Sequence, residues 1–204
     1  MSGKSEFSDL RARLDEAITY GTREDALRLA RQGRENSIAR NLAGEVEYFK
    51  GQEEYLAGNF NAAIGHFDAA VKHNSADGAA YNDRALCMVE LGIIDEAFYY
   101  FDKGIEVEPD YATVYHNKGW LLNNIGKHSE AIGYFQKALE LDPHRPVTYD
   151  NLADAFLNLL DYQGALSAYR KVLELLKPGS CHEIRQEISR QIKSIEDKLK
   201  EDKL

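Results

Sequence analysis

Apolar and small residues along the chain fall into paired helical stripes that recur every 34 residues. In ATVYHNKGWLLNNIGKHSEAIGYFQKALELDPHR, residues 112–145, Tyr115, Gly119 and Leu122 form one stripe and Ala131, Phe135 and Ala138 a second. Gly126 separates them and Asp142-Pro143 ends the second. This spacing predicts a helix, a tight turn and another helix. One period earlier the same offsets hold Tyr81, Ala85, Met88, Gly92, Ala97, Phe101, Gly104 and Pro109. One period later they hold Tyr149, Ala153, Phe156, Leu160, Ala165, Tyr169 and Val172, with leucine in place of the turn glycine. Each pair is expected to bury its apolar face on its neighbour.

Residues 78–111, 112–145 and 146–179 are the three most regular copies, although Pro178 comes one residue late in the last. Residues 42–77 form an earlier copy with Gly58, Phe60, Ala63, Phe67 and Ala70 in place. Its first helix is irregular, because Glu47 and Glu54 stand where the other copies carry Tyr81/Met88 and Tyr115/Leu122. The large side chains there are Tyr48, Phe49, Tyr55 and Leu56, which either turn toward the preceding pair or present their rings to a ligand. Residues 7–41 read as a degenerate first pair with Gly21 at the turn, followed by Ala26, Ala30 and Gly33. Gly21 and Gly58 are 37 residues apart, so the connection before Asn41 must differ. Residues 1–6 are polar and expected to be disordered.

In residues 180–204, Ile184, Ile188, Ile192, Ile195 and Leu199 draw one apolar stripe on a charged helix. That stripe suits a helix capping the last pair, or a short coiled-coil seam between chains.

The repeated Tyr/Trp, Gly, Leu, Gly, Ala, Phe and Pro offsets resemble the tetratricopeptide repeat (TPR). The resemblance implies an all-α fold, a right-handed α-α superhelix closed by a C-terminal capping helix. It also implies a non-catalytic interaction module in which the first helix of each pair lines a concave groove. Carried over, the groove positions include Asn82, Asp83 and Leu86 in one copy and His116, Asn117, Trp120 and Asn124 in the next. The following copy supplies Asp150, Asn151, Asp154 and Asn158, and the irregular copy Tyr48 and Phe49.

Trp120, the one tryptophan, lies off the stripe of Tyr115, Gly119 and Leu122. It is either half-covered by the adjacent repeat or an aromatic anchor for a ligand. Asn117 and Asn151 share an offset; their amides can hold the backbone of an extended peptide or bond neighbouring helices. TPR proteins that grip a C-terminal carboxylate use Lys, Asn and Arg where this chain has Asn82, Leu86, Val147 and Asn151. Asp83, Asp150 and Asp154 would repel such a carboxylate, so tails of that type are not expected to bind.

The formal net charge of -9 disfavours nucleic acid and favours a neutral or basic protein or peptide partner. Weak homo-oligomerisation through the C-terminal helix or the array ends is the alternative. No apolar run approaches the length of a membrane span, and the expected location is cytoplasmic. Cys87 and Cys181 are too few for a disulfide framework. The six histidines show no metal-ligand spacing, and no nucleophile-base pair or cofactor motif appears, so neither metal, cofactor nor catalysis is expected. Ser2-Gly3-Lys4-Ser5 has the end of a phosphate loop without the preceding glycine or strand.

Overall fold

The computed structural model describes residues 2–176 and 182–201, and among these the secondary structure is entirely α-helical. The chain divides into two compact units, Met1–Tyr111 and Ala112–Leu204.

The first unit holds α1 (Ser2–Tyr20), α2 (Arg23–Ala39), α3 (Ala43–Ala57), α4 (Phe60–His73), α5 (Gly78–Glu90) and α6 (Ile94–Val107). The helices pack as consecutive pairs, for the reason the stripes imply. Ala63 and Ala97, fully buried, let helices approach, and Phe67 and Phe101 one turn later fill the space between them. Gly51 serves the same purpose from the facing helix, since a Cβ there would stand 2.6 Å from the Phe67 ring. Gly58 and Gly92 take φ of 82° and 75°, a left-handed turn that costs glycine nothing.

The extra length of the first pair lies inside α2, which has 17 residues where α4 and α6 have 14. Asn41 at φ 56° then turns the chain into α3. α1 starts at Ser2, so its backbone takes in residues 2–6, ahead of the boundary at Phe7 set by the apolar pattern.

The second unit holds α7 (Ala112–Asn124), α8 (His128–Leu141), α9 (Pro146–Asn158), α10 (Tyr162–Leu175) and α11 (His182–Glu201). Ala131 with Phe135 and Ala165 with Tyr169 repeat the same packing. The turn between α9 and α10 keeps the left-handed geometry although its residue is Leu160, at φ 60° with the side chain exposed.

α11 settles its two readings in favour of the cap. Ile188 and Ile195 are buried within the unit, and Arg185 donates to the carbonyls of Leu173 and Leu176 at the end of α10. The stripe is therefore consumed by its own chain and leaves Ile184 as its exposed member.

Cys87 is fully buried, which raises its thiol pKa and leaves it inert. Cys181 and the Pro178-Gly179 boundary lie outside the described residues. Among the described residues no helix is long and apolar enough to cross a membrane, and no group of three or more His, Cys, Asp or Glu side chains is placed to hold a metal ion.

Candidate peptide-binding site

In unit 2, α7 packs on α8 and on α9, α9 packs also on α8 and α10, and the candidate residues lie along α7 and α9. In sequence, the repeat offset pairs His116 with Asp150, Trp120 with Asp154 and Asn124 with Asn158. The layer beneath is fixed by hydrogen bonds from α7 to α9. His116, 6% exposed, has Nδ1 2.9 Å from the Thr148 hydroxyl, and the Asn151 amide nitrogen is 3.5 Å from its Nε2. An amide nitrogen only donates, so Nε2 accepts and Nδ1–H donates to Thr148. Burial, with the Arg145 charge adding, pushes His116 down to about 3, which keeps the ring neutral. Arg145 itself donates to the Thr113 hydroxyl at 2.9 Å.

Above this layer the face is acidic and open. Asp154 is exposed and accepts a hydrogen bond of 2.6 Å from the Tyr169 hydroxyl. Asp150, one turn earlier, is partly buried and faces no cation among the described residues. Burial and the neighbouring Asp154 charge push it up to about 6. Trp120 and Asn117 are half-buried, and Asn124 and Asn158 are exposed.

Unit 1 presents the same offsets in another state. Phe49 is fully buried, with its ring over Gly33 of α2 and 6.3 Å from Phe7 of α1. Tyr48 is 4% exposed beneath Arg11, whose guanidinium lies 3.6 Å from the ring centre. Both are core residues and not groove residues, because α3 is turned toward the first pair. Asn82 is also withdrawn at 1% exposure, and its amide donates to Asp83 at 2.8 Å. His116 in unit 2 is corrected likewise, from ligand contact to support. Leu86 is half-buried, and Asp83 is partly buried with Gln52 donating to it.

Sequence reasoning passed over Arg11, which closes this layer. It donates to both oxygens of Asp77 at 2.8 Å and to Glu45 at 3.2 Å, joining α1 to α3 and to the cap of α5. It also passed over cations that clamp each pair. Arg84 lies 3.5 Å over the Tyr100 ring and Lys118, at the same offset, 4.6 Å over Tyr134. The signal was legible as cations 34 residues apart, each followed 16 residues later by a tyrosine.

Family models for the tetratricopeptide repeat match residues 48–106 and 112–145. Over these residues the chain is built of tetratricopeptide repeats. A thermophilic TPR protein of Thermus thermophilus, TTC0263, superposes with a TM-score of 0.70 at 18% identity, covering 90% of this chain and 97% of that one. MamA of Desulfovibrio magneticus RS-1 gives 0.57 at 21% identity, over 83% of this chain and 94% of that one. YrrB, described as a TPR protein with an unusual peptide-binding site, gives 0.58 at 17% identity, over 87% and 88%. At these identities the likeness establishes the TPR fold. No curated protein matches the chain.

Proposed function

We propose that the chain is a non-catalytic interaction module in which the α7/α9 face of unit 2 holds a neutral to basic segment of a partner protein. The observation that carries the reading is Asp150, a partly desolvated carboxylate with no cation beside it among the described residues and a second carboxylate, Asp154, one turn away. A lysine or arginine side chain placed there removes the repulsion between the two acids, whereas an acidic ligand adds to it. Trp120 at the offset of Asp154 supplies an aromatic surface for the aliphatic part of such a side chain. Asn117, Asn124 and Asn158 have amides suited to a peptide backbone. The TPR fold supports protein binding in general, and the charge pattern supports the sign of the partner. A cytoplasmic location is part of the same reading.

Trp120 is the single tryptophan and therefore reports on the site directly. Its fluorescence should shift on titration with extended basic peptides, less with neutral ones and not with acidic ones. Asp150→Asn with Asp154→Asn should remove that preference. Equal responses to basic and acidic peptides, or an unaltered preference in the double variant, would refute the reading.

A further inference from the structure

The negative charge is gathered in one stretch. Residues 42–111 hold 14 Asp/Glu against 4 Lys/Arg and the rest of the chain 20 against 21, so the whole acidic balance lies between the start of α3 and the end of unit 1. Within that stretch α6 exposes Asp95, Tyr99, Asp102 and Glu106, which are spaced 4, 3 and 4 residues apart and so share one helix face. The offset of Tyr99 holds Gly65 in α4, Gly133 in α8 and Ser167 in α10. A Cβ on either glycine would meet nothing within 4 Å, so the packing of the repeat asks for no side chain there. α6 nevertheless places a tyrosine at this offset, 56% exposed.

The Tyr99 ring rests on a fixed support. It meets Tyr100 edge-on, with ring centres 5.0 Å apart and planes at 90°. Tyr100 in turn stacks on Tyr81 at 6.5 Å and lies under Arg84, whose guanidinium is 3.5 Å from the ring centre and donates to Asp68 at 2.6 Å. Lys103 stands 5.9 Å from the Tyr99 centre, near the limit of a cation–π contact, and donates to Glu106 at 2.6 Å. Asp95 and Glu96, both exposed, precede Tyr99 by four and three residues and so adjoin it on the helix surface.

We propose that the exposed face of α6 docks an arginine-bearing segment of a partner protein, with a guanidinium laid on the Tyr99 ring and its charge met by Asp95 and Glu96. The chain already builds this arrangement internally, where Arg84 covers Tyr100 and pairs with Asp68. Because Tyr100 holds the Tyr99 ring, an arriving side chain does not have to order it. A guanidinium lies flat on a ring and still reaches a carboxylate with its nitrogens, which a lysine ammonium does not do as well. An acidic segment meets like charge on this face, and so does the same face of a second copy. The proposal stands apart from the reading of unit 2.

Nuclear magnetic resonance of the full chain tests it, with an arginine–alanine peptide as the probe and lysine–alanine and glutamate–alanine peptides of the same length beside it. The arginine peptide should move the α6 amide and Tyr99 ring signals to saturation, the lysine peptide should bind there more weakly, and the glutamate peptide should leave them in place. Tyr99→Ala should weaken binding at α6 about tenfold, and Tyr99→Phe, which keeps the ring, should bind as the unaltered chain does. Trp120 fluorescence follows unit 2 separately, and its response should be the same in both variants. The docking face is overturned by α6 signals that do not move, by equal affinity in Tyr99→Ala, by a lysine or glutamate response that matches arginine, or by α6 signals that move with protein concentration alone, which would make the occupant a second copy.

Discussion

Tyr48 and Asn82 in unit 1 and His116 and Asp150 in unit 2 occupy one offset of the repeat, yet the two units use it differently. In unit 1 the offset is sealed, with Arg11 reaching from α1 across Tyr48 to Asp77. In unit 2 His116 is tied down while Asp150 stands partly desolvated without a cation among the described residues. The repeat dictates where a side chain sits on its helix. What it faces depends on whether a neighbouring helix brings a complementary charge. The first unit carries its own cation, and the second leaves Asp150 without one among the described residues.

The strongest way to break the comparison is Arg11→Met. It leaves Asp77 buried and Glu45 partly buried without their cation and should cost unit 1 about 3 to 5 kcal/mol. Urea unfolding followed by exchange of α3 and α5 amides measures it, and protection of α8 and α9 should not fall with it. An even loss across both units would mean that Arg11 does not distinguish them.

Trp120→Ala probes the open face. Basic-peptide affinity should drop by about 2 kcal/mol, roughly thirtyfold, with the melting temperature little changed. Calorimetry reads both, and a variant that binds normally removes Trp120 from the site. pH sharpens the contrast next. Asp150 is charged above about 6 and neutral below, so affinity for a basic peptide should fall as pH drops through that value. A pH series of titrations from about 5 to about 8 checks this trend.

The smallest effect concerns the turns. Leu160 holds φ 60° where Gly58, Gly92 and Gly126 hold 82°, 75° and 82°. Leu160→Gly should therefore stabilise unit 2 by about 1 kcal/mol, visible as a modest rise in melting temperature. A fall would show that the exposed leucine side chain makes contacts that outweigh the strain.

Most of the helix pairing was legible in residue spacing because the constraint is local. An alanine at a crossing and a phenylalanine one turn later recur as Ala63/Phe67, Ala97/Phe101 and Ala131/Phe135, and each occurrence is fully buried. The site was less legible. Offset alone put Tyr48, Phe49, Asn82 and His116 in a groove, and all four are buried, because an offset names a direction on one helix and not what lies opposite. The aromatic shift in α3 was a visible warning, since Glu47 in the usual tyrosine position pairs instead with His66 and Lys50.

Residue spacing alone specified the 34-residue period, the paired helices with a tight turn at glycine, and the apolar stripe of α11, all consequences of side chains one or two helical turns apart. Tertiary structure alone decided that Arg11 reaches Asp77, 66 residues away, and that Tyr169 of α10 binds Asp154. It also decided that Asp150 has no cationic partner among the described residues. Charges and hydroxyls act through space at the ends of long side chains, so their partners follow from how helices stack and not from the spacing within any one of them.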